Sequence, residues 1–278
     1  MLNRMSGAVT VIVLTGALFS WVPAMAQETE NQPIGTRDGP PEEVVPNGTP
    51  VPRAADGRAD LSGLWDKGLV LNTARQNLPL PFTPEGLAAF NDVWNHIDAT
   101  SRCVFPGVPR LNSSPYPMRI IQLPDMVVFL YEYMHNFRVI HTDGRGHNDS
   151  WEPSLLGDSI GWWEDDTLVI ETTNLTDRTY LDSHGNRHSD AMTVIERWTR
   201  ISANQLLYEE TIDDPKFYTE PWSASWDIQL APDNWVLMEF ACTDNNKDLY
   251  EDHLRPGPLD GSLRDGTAIA QPGPPRAR

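Results

Sequence analysis

Apolar residues recur along this chain in short alternating runs, broken every seven to ten positions by turn-forming residues. Residues 118–123 (MRIIQL) end at Pro124-Asp125, and residues 126–134 (MVVFLYEYM) and 136–141 (NFRVIH) follow. Residues 159–164 (SIGWWE) turn at Asp165-Asp166 and return as 167–173 (TLVIETT). Residues 192–201 (MTVIERWTRI) and 205–212 (QLLYEETI) form a further pair, as do 222–230 (WSASWDIQL) and 235–242 (WVLMEFAC). Residues 61–71 (LSGLWDKGLVL) open the set. Short β-branched and aromatic runs joined by tight turns predict antiparallel hairpins and meanders. Helix is sparse. The best candidate is 82–95 (FTPEGLAAFNDVWN), with Thr83 as N-cap and Pro84 in the first turn. The expected fold is all-β, an antiparallel meander barrel with one short N-terminal helix, and a two-sheet sandwich is the competing arrangement.

Single charges interrupt otherwise apolar rows: Glu132, Arg138, Glu171, Glu196, Arg197 and Glu239. Two placements are open. The charges line a lumen that holds a small polar site, or they lie on a solvated outer face.

The ends of the chain differ in character. Arg4, the apolar run 8–19 (AVTVIVLTGALF) and Ala24-Met25-Ala26 have the layout of a secretory signal peptide, expected to span residues 1–26. Residues 27–56 and 256–278 are rich in Pro, Gly and charge and are expected as a disordered linker and tail. That leaves residues 57–255 as one barrel domain. Export implies a periplasmic or secreted protein without membrane insertion after signal cleavage. The whole chain carries 21 basic and 39 acidic residues, and removing Arg4 with the signal leaves 20 − 39 = −19. Such charge disfavours nucleic acid and is compatible with a neutral or cationic small-molecule ligand, without selecting one. An oxidising compartment favours a disulfide between the only cysteines, Cys103 and Cys242.

Two polar clusters carry the candidate chemistry: residues 141–149 (HTDGRGHND) and 182–190 (DSHGNRHSD). Asp143-Gly144 is by itself a turn signal. In one reading, His147 and His188 meet over a barrel mouth as general acid and base, with Asp143 or Glu132 orienting a ring. Arg145 and Arg138 then hold or stabilise negative charge. In a second, His184 and His188 with His141 or His147 bind a metal; no helical spacing supports it, and no metal or other cofactor is assigned. In a third, both are ordinary solvated loops. Tyr116, Trp163 and Trp222 are candidate ligand-contacting aromatics. No nucleophile elbow, zinc-protease, P-loop or dinucleotide motif is present in the sequence. The reaction class that fits is a cofactor-independent lyase, isomerase or hydrolase step. A binding protein without turnover and an envelope module are the alternatives.

Two resemblances add to this. Gly63-x-Trp65 at the head of the first strand resembles the opening of lipocalin-like (calycin) barrels. It implies that a late-strand arginine, Arg197 or Arg200, packs on the tryptophan. More widely, PRAADGRADLSGLW, CVFPGVPR, DGRGH, GDSIGWWEDDTLVIET, HSD, ERWTR and TIDDPKFYTEPW, in that order, resemble a family of exported bacterial proteins. That resemblance implies export and a β-rich fold and carries no activity.

Overall fold

The computed structural model describes residues 48–246, apart from 69, 71–78, 96–97, 149, 184 and 245. The expected signal segment, most of the linker, the tail, Asp149 and His184 lie outside the described residues.

Nine strands close into a barrel in chain order. They are β1 (Gly63–Asp66), β2 (Met118–Gln122), β3 (Met126–Tyr131), β4 (Asn136–His141), β5 (Asp158–Glu164), β6 (Thr167–Thr173), β7 (Thr193–Ser202), β8 (Gln205–Asp213) and β9 (Trp222–Leu230). The helix α1 (Pro84–Asn91) starts as its sequence requires, with Gly86 N donating to Thr83 Oγ1 at 3.0 Å. A single turn, α2 (Arg110–Ser113), is bracketed by Pro109 and Pro115 and buries all four of its residues.

Alternation decides which side of the long strands faces inward. In β7, Val194, Glu196, Trp198, Arg200 and Ser202 are buried and their neighbours are not. In β8, Leu206, Tyr208, Glu210 and Ile212 are buried, and in β9 Trp222, Ala224, Trp226 and Ile228. An aromatic row fills the middle: Phe129 to Trp198, Trp198 to Tyr208 and Tyr208 to Trp226 have ring centroids 5.1, 4.4 and 4.6 Å apart. Arg200 is the arginine over Trp65, with its guanidinium carbon 4.9 Å from the ring centroid. Arg197 is half-buried on the other face and pairs with Glu164 instead.

Eight of the nine joints are antiparallel; the exception is β4 to β5, which is parallel and holds one residue pair, His141 with Ile160. A parallel joint needs a long connection rather than a turn, and residues 142–157 provide it. Gly161 lets the two strands approach there, because a Cβ would fall 2.7 Å from Ile140 Cγ2. The β1 to β9 joint is also thin, with two residue pairs. The barrel is thus two meanders, β1–β4 and β5–β9, joined at two narrow places.

Three expectations change. Residues 235–242 are not a strand. They form a strap beside the turn that follows β3, because their backbone donors find side-chain acceptors: Met238 N reaches Glu132 Oε2 at 2.8 Å and Phe240 N reaches His135 Nε2 at 2.7 Å. Cys242 at the strap's end is disulfide-bonded to Cys103, with Cα atoms 5.7 Å apart. Glu132 does not sit in a strand row, since β3 ends at Tyr131 and Glu132 is helical at φ −62°, ψ −42°. Residues 49–56, expected within the linker, run against the barrel: Ala203 N donates to Thr49 Oγ1, and Arg53 pairs with Asp166.

Candidate functional site

The lumen holds a polar network, so the question of where the strand charges lie has a divided answer. Arg138 and Glu196 are inside, buried to 3% and 0% exposure, while Glu171 and Arg197 are not. Arg138 grips Glu196 through both Nη atoms, at 3.1 and 2.6 Å, and Nη2 also donates to Ser159 Oγ and Thr172 Oγ1 at 3.1 Å each. Burial opposes the guanidinium's charge, but Glu196 and Tyr131 together outweigh it and raise the Arg138 pKa. From α2, Asn112 donates to Glu196 Oε1 and, at 3.0 Å, to Tyr208 Oη, and it accepts from Tyr131 Oη at 2.8 Å. Tyr208 Oη also donates to Glu210 Oε2 at 3.0 Å. Burial pushes both tyrosine hydroxyls upward, so both remain protonated donors. The network spans the lumen from the first meander to the second.

Lys67 closes one end of this network. Its Nζ donates to Leu111 O at 2.6 Å and lies 5.1 Å from the Tyr131 ring centroid. Burial lowers its pKa to about 7, against the pull of Asp66. Arg110 anchors α2 through a two-bond pair with Asp98, at 2.9 and 2.6 Å.

Two of the clefts among the described residues hold sequence-predicted candidates. The first, of about 700 Å³, lies between the barrel rim and the strap. Asp66, Tyr116 and Glu132 line it from the rim, and Trp235, Val236 and Met238 from the strap. Tyr116 is stacked on Tyr133 at 5.3 Å, and Phe240 packs edge-on against both rings at 5.1 and 5.0 Å. The second, of about 620 Å³, lies at the parallel β4–β5 joint and is lined by His141, Arg145, His147, Trp151, Asp158 and Ser159 among others. There His147 Nδ1 is 3.0 Å from Asp158 Oδ2 and Nε2 is 3.0 Å from Glu171 Oε1. Facing ionised carboxylates, which only accept, both contacts are hydrogen bonds at once when both ring nitrogens carry hydrogen. Ser159 links the outside to the lumen, since it lines this cleft and bonds Arg138.

The candidate residues therefore divide. His147 and Arg145 share the β4–β5 cleft, and Tyr116 and Glu132 share the strap cleft. Asp143 is exposed and bound to Arg145, which holds its carboxyl down to about 2 by hydrogen bonding. His188 shares no partner with His147. It is buried at 1% exposure, with Nδ1 donating to Ser189 O at 3.1 Å and Nε2 accepting from Thr179 Oγ1 at 3.0 Å. Burial lowers its pKa, which favours the neutral ring. Trp163 packs against the core with Arg58 5.6 Å from its ring, and Trp222 is buried beside Tyr218. Among the described residues no three His, Cys, Asp or Glu side chains are grouped to hold a metal. Lys67, Asn112, Asp158, Tyr208 and Glu210 are absent from the sequence-based candidates. The same-face spacing of Trp65 and Lys67 was the one available signal for Lys67; α2 has no periodicity to expose Asn112.

No family model, curated protein or solved structure matches this chain.

Proposed function

We propose that the protein is an exported, calycin-type barrel that binds a small, partly apolar molecule in the cleft between rim and strap. One observation carries the reading: a cleft of about 700 Å³ walled by Tyr116, Trp235, Val236 and Met238, of the size and aromatic lining that small-molecule sites have. The Cys103–Cys242 disulfide supports both the roof over this cleft and a periplasmic or secreted location. A thermal-shift ligand screen on the oxidised protein, repeated on Trp235→Ala, tests it. Binders are expected to raise the melting temperature of the parent and to lose most of that effect in the variant. Ligands that stabilise both equally would place the site elsewhere.

A second reading rests on the β4–β5 cleft. There His147, flanked by Asp158 and Glu171 in an open polar pocket, supports acid–base turnover by a lyase, isomerase or hydrolase step. His188 has a packing role in this reading.

A further inference from the structure

We infer that the ligand of the strap cleft carries a positive charge, as a protonated amine or quaternary ammonium on an aromatic or apolar body. This deepens the binding proposal and rests on that cleft being the site. Glu132 supplies the first argument. It is 4% exposed and lines the cleft, yet the one hydrogen bond to its carboxylate among the described residues comes from the Met238 amide at 2.8 Å. No described Lys, Arg or His is ion-paired with it. A buried carboxylate is ordinarily paired or held by several donors, because its desolvation is costly. Glu132 has an incomplete set, and the open side of its environment is the cleft.

The remaining walls agree. Asp66 is the second acid there, with Oδ1 accepting from Gly68 N at 3.1 Å. The nearest cation in sequence, Lys67, turns inward to Leu111 O and the Tyr131 ring and is not a lining residue. No basic residue is among the described lining. Tyr116 and Trp235, exposed to 40% and 41%, offer aromatic rings whose faces attract cations. The chain's net charge of −18 raises the local concentration of cationic solutes over anionic ones. A neutral ligand leaves Glu132 without a counter-charge, and an anionic one meets two like charges.

The test uses three probes with a shared aromatic body: 2-phenylethylamine, 2-phenylethanol and 3-phenylpropanoate. Binding to the oxidised full chain is followed by calorimetry or tryptophan fluorescence. The amine is expected to bind about tenfold more tightly than the alcohol, with the carboxylate weakest. Glu132→Gln is expected to bring amine and alcohol affinities together while keeping that of the alcohol. An alcohol or carboxylate that equals the amine overturns the charge inference and leaves the cleft intact. So does an amine preference that survives both Glu132→Gln and Asp66→Asn. Should Glu132→Gln not fold, Asp66→Asn and the ionic-strength dependence decide, since only the amine's affinity should fall with salt. If none of the probes binds, or if Tyr116→Ala and Trp235→Ala leave all three affinities unchanged, the cleft reading itself fails.

Discussion

Replacing both cysteines by serine removes a cross-link that encloses nearly the whole described barrel. Cys103 and Cys242 are 139 residues apart in sequence. Loop-closure entropy in the unfolded chain then assigns the bond about 5 kcal/mol at 25 °C. For a folded body of roughly 200 residues, each kcal/mol shifts the midpoint by about 2–4 °C, so a fall of about 10–20 °C is expected. The structure sets a reason for a smaller value. The bond ties the end of the strap, at Cys242, to Cys103, so undocking of the strap in the variant would return entropy to the folded side. Against that stand the two amide bonds to Glu132 and His135 and the Phe240 contacts with Tyr116 and Tyr133. Calorimetry of the oxidised parent and the double variant measures the shift, and urea titration checks that the transition stays cooperative. A drop below about 3 °C with an unchanged urea slope would refute the loop-entropy argument.

Four further outcomes are expected. Glu196→Gln leaves Arg138 buried without its counter-charge and should cost about 3–5 kcal/mol in urea denaturation. Gly86→Ala should destabilise despite alanine's better helix propensity, by about 1–3 kcal/mol or more, because its Cβ would fall 2.0 Å from Phe217 O; a stabilised variant in a thermal melt would show that α1 yields freely. Lys67 is lowered from 10.5 to about 7 in the folded state. Its contribution is therefore complete above pH 10.5 and is lost as pH falls towards about 7. Stability of the parent relative to Lys67→Met should rise with pH across that window, and a flat difference in urea midpoints would contradict the burial argument. His147→Ala should abolish any turnover found in a mass-detected substrate screen while sparing phenylethylamine binding, and full retained activity would end the acid–base reading.

The alternation in β7, β8 and β9 was legible because side-chain direction has period two and each strand is buried on one face. The N-cap at Thr83 and the disulfide were legible too, since each depends on few residues of distinctive chemistry; the arginine over Trp65 was open between Arg197 and Arg200, came from the resemblance alone, and is Arg200. The 235–242 segment misled because WVLMEFAC has a strand's composition, and composition does not reveal that Glu132 and His135 satisfy its amides. The parallel joint was hidden for a related reason: residues 142–157 look like a loop whether they reverse the chain or carry it across. Pairing His147 with His188 assumed that both longer connections hang free at one mouth. Residues 186–188 instead fold inward, with Asn186 and His188 buried.

Two narrow joints on opposite flanks make this cylinder behave as a pair of covers, and the Arg138–Glu196 contact is the clasp between them. Arg138 belongs to one cover and Glu196 to the other. Breathing of the molecule should then be a parting along these two lines rather than fraying of the wide β6–β9 sheet. Amide hydrogens flanking Ile160 and Leu230 would exchange with solvent long before those of Ile170 or Tyr208, and a loosened clasp would widen that gap in time.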